Sequence, residues 1–355
     1  MQNEKKIAVP SPFPTSSAAS FRRLGLSQAL PLLGLSPKRA AEAERVERET
    51  GYPMEISEHF AKCAAASDDD ALQKQLVPSA GELLESAYFT TNPLKEQAPA
   101  TKNFNPVFVL QKYAGRALLM TATECFGNCR FCFRRHLRTH FPSAALTRQN
   151  YENALFQLSN DSSIHEIILS GGDPLTLPDD LFFWLLMEFR KIEHLKRIRV
   201  HSRAPIFAPE KISENFSEFL KIFSESCGKP LYFVLHVNHP AELSPETRAA
   251  IGRLHSAGVT LLQQGVLLRG VNDRLEILAD LYEKLTEIHV IPYYLHQLDR
   301  VQGASHFEVP PAVGRQLVRD LRDRLPGFAV PRYVREIPGE KGKTILENTE
   351  DRVWE

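Results

Sequence analysis

The chain has 355 residues, enough to bury a large core, and at about 150 residues per domain it suggests roughly two units unless a barrel takes most of the length. Its 43 Lys and Arg balance 43 Asp and Glu, which excludes a whole-chain field for nucleic acid or membrane as the main partner and leaves only local basic pockets. The Pro- and Ser-rich start lacks the apolar run of a secretion signal and no window reaches the ~18 apolar residues of a membrane span, so a soluble cytoplasmic protein is expected. Five unevenly placed cysteines suit a metal site in a reducing compartment better than a disulfide framework.

In chain order, residues 1–105 read as a mostly helical appendage and linker. After the Pro/Ser-rich lead, Pro37 to Glu49 (PKRAAEAERVERE) has the Ala, Glu and Arg content and the spacing of an exposed helix. The run from Thr90 to Pro106 carries three prolines and should cross the surface without regular structure.

From Ala117 onward β-rich apolar runs alternate with amphipathic helical ones. Strands are expected at Ala117–Thr123, Glu166–Gly172, Arg197–Arg203, Leu231–Val237, Thr260–Leu268 and Ile291–Leu298. Helical runs lie between them, such as DDLFFWLLMEFRKI, SENFSEFLKIFSES, SPETRAAIGRLHSAG and LEILADLYEKLTEI. The third of these opens with Ser244 as N-cap and Pro245 at the first helical position, and closes at Gly258. Such alternation implies a parallel sheet in an α/β fold. Six units are too few for an eight-unit barrel, so an open, TIM-like partial (β/α)6 barrel over 106–310 is expected, followed by a C-terminal segment, 311–355.

Chemically capable side chains fall at the strand ends: Cys125, Cys129 and Cys132 after the first, Gly171 to Asp173 in the second, Arg203 at the third and His236 to His239 at the fourth. Gln263 and Gln264 lie in the fifth and Asp299 follows the sixth. In a parallel barrel these ends share one face, where such folds do chemistry.

Cys125, Cys129 and Cys132 form C-x3-C-x2-C within TECFGNCRFCFRRH. Structural zinc wants four closing ligands, and only His136 stands open as a fourth. Three thiolates suit a [4Fe–4S] cube with one iron open to a ligand. Cys63 and Cys227 are isolated in helical contexts and read as small residues without function.

With Phe131 before the last cysteine, this motif resembles that of the radical S-adenosylmethionine (SAM) enzymes, and SGGDPL (Ser170–Leu175) looks like that superfamily's glycine-rich motif. The resemblance implies a [4Fe–4S] cluster on Cys125, Cys129 and Cys132 whose open iron binds SAM, with Gly171, Gly172 and Asp173 near the SAM amino group. Further runs, in order, resemble the lysine 2,3-aminomutase family over roughly residues 85 to 347: IRVHSRAPI, HVNHPAEL, QQGVLLRGVND, PYYLHQLDRVQGASHF and PGEKGKT. They are most similar to its shorter branch, which serves translation elongation factor P.

That resemblance implies pyridoxal phosphate (PLP), with Lys343 as its Schiff-base lysine and Lys341 as a competing assignment. Arg116 and Lys112 would take the phosphate, Lys112 standing where the family often has arginine and so lacking the fork. Gln264 would lie near the cofactor, and Arg203, His236, Asn238 and His239 on the SAM side or behind it. Arg134 would grip the substrate α-carboxylate, a bidentate task, while Arg135 beside it reads as a surface or ion-pair residue. Asp299 and Glu336 would neutralise the ε-ammonium, since a buried unpaired charge is very costly.

The implied activity is an isomerase reaction, L-lysine to β-lysine, using an external electron donor and a SAM-derived radical. The (R) product would then be attached to elongation factor P by a separate ligase, and a homo-oligomer is a family expectation. Arg274 after GVND, Glu336 where free-lysine enzymes have Asp, and no cysteine past Cys227 argue for that branch and against zinc. The rival readings are a free-lysine or other amino-acid 2,3-aminomutase, a radical SAM enzyme without PLP, and a non-catalytic Fe–S or RNA-binding protein using FRRHLRTH as a basic patch.

Overall fold

The computed structural model describes residues 21–96, 109–136 and 147–347. The Pro/Ser-rich lead, residues 97–106 of the expected linker and residues 137–140 of the basic run lie outside the described residues.

The first part contains β1 (Arg23–Gly25), α1 (Leu26–Leu33), α2 (Pro37–Thr50), β2 (Glu55–Ser57), α3 (Glu58–Ala66) and α4 (Ala71–Leu76). Helix α2 begins as expected, with the Ser36 side chain accepting from Arg39 N, and ends at Gly51 in the left-handed conformation. The appendage is not purely helical, because β1 and β2 pair antiparallel.

The sheet comprises β3 (Val109–Tyr113), β4 (Arg116–Ala122), β5 (Glu166–Gly171), β6 (Arg197–Ser202), β7 (Leu231–His236), β8 (Thr260–Val266), β9 (Ile291–His296), β10 (Arg332–Arg335) and β11 (Thr344–Ile345). The nine strands are ordered by sequence across the sheet. Strands β4 to β10 run parallel, and β3 and β11 pair antiparallel at the two edges. The six expected strands are present and a seventh parallel one, β10, joins them. Its four residues, RYVR, are too short to announce a strand by period.

Between the strands lie α5 (Arg148–Asn160), α6 (Asp179–Lys191), α7 (Glu214–Cys227), α8 (Pro245–Ser256) and α9 (Leu275–Glu287), and α10 (Pro311–Arg324) precedes β10. Helix α6 places Asp179 and Asp180 in its first turn and Arg190 and Lys191 in its last, in favour of its dipole. Phe183 of α6 stacks on Phe219 of α7, ring centroids 3.8 Å apart. In α8 the Ser244 side chain accepts from Thr247 N at 3.2 Å, as the capping pattern predicts. Among the described residues no helix is long and apolar enough to cross a membrane.

Strand alternation sets the two faces. Ile198 and Val200 of β6 join the apolar core, while Arg199 and His201 line the interior cavity. Ile167 and Leu169 of β5 likewise face the core, and Ile168 and Ser170 the cavity.

The appendage packs on the loop that carries the cysteines. Asn128 N donates to Glu55 O and Arg130 N to Gln75 O, both at 2.8 Å. Arg130 reaches both oxygens of Glu82, at 2.8 and 2.6 Å, and Arg135 shares Glu82 Oε2 at 2.7 Å. Both guanidiniums lie over the Tyr52 ring, 4.5 and 4.4 Å from its centroid. Arg135 is thus an ion-pair residue, and a buried one. The head of the expected linker is also fixed, since Thr90 N donates to Arg300 O and Thr90 O accepts from Gln302 N, each at 2.9 Å.

All three side chains of the Glu82 triad are at most 2 % exposed, so removing the carboxylate strands two buried cations. Glu82→Ala is expected to destabilise the chain by about 3–5 kcal/mol in urea unfolding. A change under about 1 kcal/mol would show that water reaches the arginines.

Candidate functional site

One cavity of about 900 Å³ opens at the C-terminal ends of the parallel strands. Lining it are the candidate site residues Cys125, Cys129 and Cys132; Gly171, Gly172 and Asp173; Lys112, Arg116, Arg203, His236 and Gln264; Arg134, Asp299, Glu336 and Lys343. His136, Asn238, His239 and Lys341 do not.

The three cysteines follow β4 in a loop fixed from behind by the appendage. Burial pushes the Cys129 thiol up despite Arg203, whose Nη1 lies 2.9 Å from its sulfur. Burial and then the neighbouring Cys129 push Cys132 up to about 11. Such thiols ionise together only beside a strong cation, as an iron cluster provides. Among the described residues no group of His, Cys, Asp and Glu is gathered closely enough for a single ion. A four-iron cube is wider than an ion, and three cysteines lining one cavity suit it. His136, the open fourth ligand of the sequence, is off the cavity, its Nε2 3.3 Å from Gln302 O. Cys63 Sγ lies 3.6 Å from His59 Nε2, and Cys227 ends α7; neither lines the cavity.

The glycine motif is dictated by close approach. Gly171 has φ +113°, and a Cβ on Gly172 would overlap the Glu124 carbonyl. Gly172 N donates to Ala122 O at 2.5 Å and Asp173 N to Glu124 O at 2.7 Å, so the motif is seated against the cysteine loop. The Asp173 carboxylate is committed within the protein: Oδ1 accepts from Leu175 N and Ser202 Oγ, and Oδ2 from Arg203 N, tying the ends of β5 and β6 together.

At the other end of the cavity Glu336 gathers partners from both edges of the sheet. Lys343 Nζ lies 2.5 Å from Oε2 and Lys112 Nζ 2.6 Å from Oε1, and Tyr113 donates its hydroxyl to the same carboxylate. Burial opposes ionisation of Glu336, but the Lys343 charge and these hydrogen bonds outweigh it and draw the carboxyl down to about 2. Lys112 thus ties β3 to the residue that follows β10. Arg116 lies over the Tyr113 ring at 5.0 Å. Lys341 is exposed, which separates it from Lys343.

Asp299 behaves differently. Burial pushes its carboxyl up to about 7; Lys343 works against this, and Glu336 and Glu96 add to it. Arg134, expected to face a carboxylate, already holds one. Its Nε and Nη2 each lie 2.8 Å from an oxygen of Glu96. Glu96 had no sequence signal, since it falls in a Pro-rich run with no period.

His201 and His296 also escaped the sequence reading, although polar residues in apolar strands mark the inward positions. Burial first, and neighbouring cations second, hold His201, His236 and His296 neutral, His296 at about 3. Buried His201 Nε2 and Arg203 Nε have no hydrogen-bond partner among the described residues, and both residues line the cavity. Unpaired polar atoms on a cavity of this size fit a resident polar cofactor.

Residues 120–282 match the Radical SAM superfamily model. The chain is 42% identical over 281 residues to L-lysine 2,3-aminomutase of Escherichia coli (strain K12), covering 79% of this chain and 78% of that one. The enzyme of the same name from Buchnera aphidicola subsp. Baizongia pistaciae is 40% identical over 78% of each chain. That of Haemophilus influenzae is 38% identical over 80% of this chain and 81% of its own. The cofactors of such enzymes are a [4Fe–4S] cluster, SAM and PLP, for which the cavity has thiols, cations and a lysine. The chain therefore belongs to the lysine 2,3-aminomutase family of radical SAM isomerases.

Proposed function

We propose that the chain is a PLP-dependent lysine 2,3-aminomutase that makes (R)-β-lysine for elongation factor P. The observation that carries the substrate is the pair of carboxylates, Asp299 and Glu336, in the same cavity as the three cysteines, with an alkylammonium, that of Lys343, already 2.5 Å from Glu336. The cluster with SAM supplies a hydrogen-abstracting radical when bound, and PLP supplies the conjugated carbonyl chemistry that lets an amine migrate.

The chain's own residues supply the rest. Cys125, Cys129 and Cys132 hold the cluster, Lys343 anchors PLP, and Arg116, Lys112 and Gln264 surround it. Arg134 takes the substrate α-carboxylate, and Asp299 and Glu336 take the ε-ammonium. The neutral His201, His236 and His296 add no positive charge to repel that ammonium. An acidic substrate side chain would be repelled by both carboxylates, which disfavours a glutamate mutase. Glu336 in place of Asp and Arg274 after GVND support the elongation factor P branch over the free-lysine enzymes. Burial of the site keeps water from a carbon radical and fixes the reacting atoms.

The test is anaerobic reconstitution with iron and sulfide, then incubation with dithionite, SAM, PLP and L-lysine, with chiral analysis of the product. (R)-β-Lysine is expected, and Lys343→Ala should lose both turnover and the PLP absorbance band. SAM cleavage without β-lysine, or the (S) product, would sink the assignment.

The raised Asp299 carboxyl gives a pH signature. Folded near 7 against an ordinary ~3.9, it is protonated in the folded chain and ionised in the unfolded one between those values. Unfolding then releases a proton, so the stability of the cofactor-free chain falls as pH rises from 4 to 7, on the order of 3 kcal/mol. In urea unfolding across that range Asp299→Asn should remove this component of the slope. An unchanged slope would mean that Asp299 has an ordinary carboxyl.

Glu96 must leave Arg134 for a substrate carboxylate to enter. Glu96→Gln is therefore expected to lower KM for lysine three- to tenfold with kcat little changed. A raised KM would show instead that Glu96 helps to bind substrate.

A further inference from the structure

Arg203 directly follows β6 beside the cysteine loop, where its backbone N–H and both terminal nitrogens of its guanidinium are engaged. Its backbone N donates to Asp173 Oδ2 at 2.7 Å. Its guanidinium is packed among the rings of Phe207, Phe60 and Phe131, at 4.6, 5.6 and 5.9 Å. Nη2 donates to Gln75 Oε1 at 2.6 Å and to Glu242 Oε2 at 3.0 Å. Nη1 is left directed at the sulfur of Cys129, 2.9 Å away.

The partners on the far side are themselves fixed. Gln75 Nε2 donates to Glu242 Oε1 at 2.9 Å, and Asn238 Nδ2 donates to Gln75 Oε1 at 3.0 Å. Glu242 and Gln75 are buried, at 1 % and 0 % exposure. Gln75 belongs to α4 of the appendage, and its carbonyl also holds Arg130 N inside the cysteine loop. The negative charge of Glu242 therefore lies on one side of the guanidinium and the sulfur on the other. The sulfur meets the positive end of an oriented, water-poor pair.

An Arg–Glu pair could be merely structural, tying β6 to the loop after β7. The direction of Nη1 argues for more. A charged N–H donor on a cluster thiolate stabilises the reduced cluster, which carries one more negative charge, over the oxidised one. A low local dielectric strengthens the effect.

We infer that Arg203, aimed by Glu242 and by Gln75 of the N-terminal appendage, is a positioning residue that raises the reduction potential of the cluster through Cys129. This rests on the proposed function only in taking Cys129 as a cluster ligand. It gives the appendage a role in electron entry, because Gln75, which accepts from the guanidinium, and Phe60, whose ring packs on it, both come from outside the barrel.

The experiment is a redox titration of the reconstituted full-length protein, followed by the electron paramagnetic resonance signal of the reduced cluster, with iron and sulfide counted for each sample. Arg203→Gln is expected to make reduction at least tenfold harder, 59 mV more negative for one electron. Arg203→Lys, which keeps the charge, should recover at least half of that shift, and Gln75→Leu should move the potential in the same direction by a smaller amount. Should Arg203→Gln fail to load a cluster, Gln75→Leu and Arg203→Lys decide by themselves. Loaded variants within twofold of the wild-type equilibrium, or Lys no better than Gln, would overturn the inference and leave a structural ion pair. A wild-type chain that takes up no iron or sulfide would instead remove the proposed function, and this inference with it.

Discussion

A sheet that does not close on itself has to bring its edges together through side chains if it is to wall off a chamber. Here the joint is Glu336. It follows β10, accepts from Lys112 and Tyr113 of β3 at the opposite edge, and holds Lys343 just before β11. Three donors on one buried carboxylate keep it ionised where an isolated acid would take up a proton. The gathering that closes the barrel thus also creates the anionic end of the cavity. Asp299 gathers no such set of donors among the described residues, and burial, with Glu336 and Glu96 adding to it against Lys343, pushes its carboxyl up in the same chamber.

The opposite end depends on a different constraint. A loop carrying three cysteines and Gly127 has little intrinsic order, so its backbone donors need fixed acceptors. Those come from the appendage, through Glu55 O and Gln75 O, while the Glu82 triad and Tyr52 clamp the arginines that flank the last cysteine. The barrel provides the strand ends, and the appendage provides the surface against which the cysteine loop takes its shape. For that reason residues 21–96 belong to the account of the site.

Much of the barrel was legible because its signals are local and repeated. Alternating apolar strands, a capped helix such as Pro245–Ser256 and polar residues at strand ends each follow from period and chain chemistry. The cysteine spacing and the SGGDPL turn were legible too, although the geometry adds a reason that spacing cannot supply: Gly172 is glycine because Glu124 O leaves no room for a side chain. The seventh strand was hidden by its length. Glu96, Gln75, Glu82 and Glu242 were hidden for another reason: each acts by meeting a residue tens or hundreds of positions away. A Pro-rich run gave no hint that Glu96 would be found on Arg134, and neither did the Ala71–Leu76 helix that Gln75 would be found on Arg203.

The charges of the cavity obey one further constraint. Buried charges are costly when left alone, so the cavity pairs its own. It does so with a carboxylate, Glu96, on Arg134 at one place and an alkylammonium, Lys343, on Glu336 at another. Those two groups have the functional chemistry of an amino acid with a cationic side chain, assembled from separate parts of the chain. A zwitterion that bears both replaces one internal pair with another of the same kind, so the net charge buried does not change. A ligand with only one of the two groups leaves a buried charge without its counterpart, at a cost of several kcal/mol. Binding by exchange also limits affinity, because each new ion pair is formed at the expense of an old one. Selectivity in such a site comes from rejecting incomplete ligands more than from holding the right one tightly.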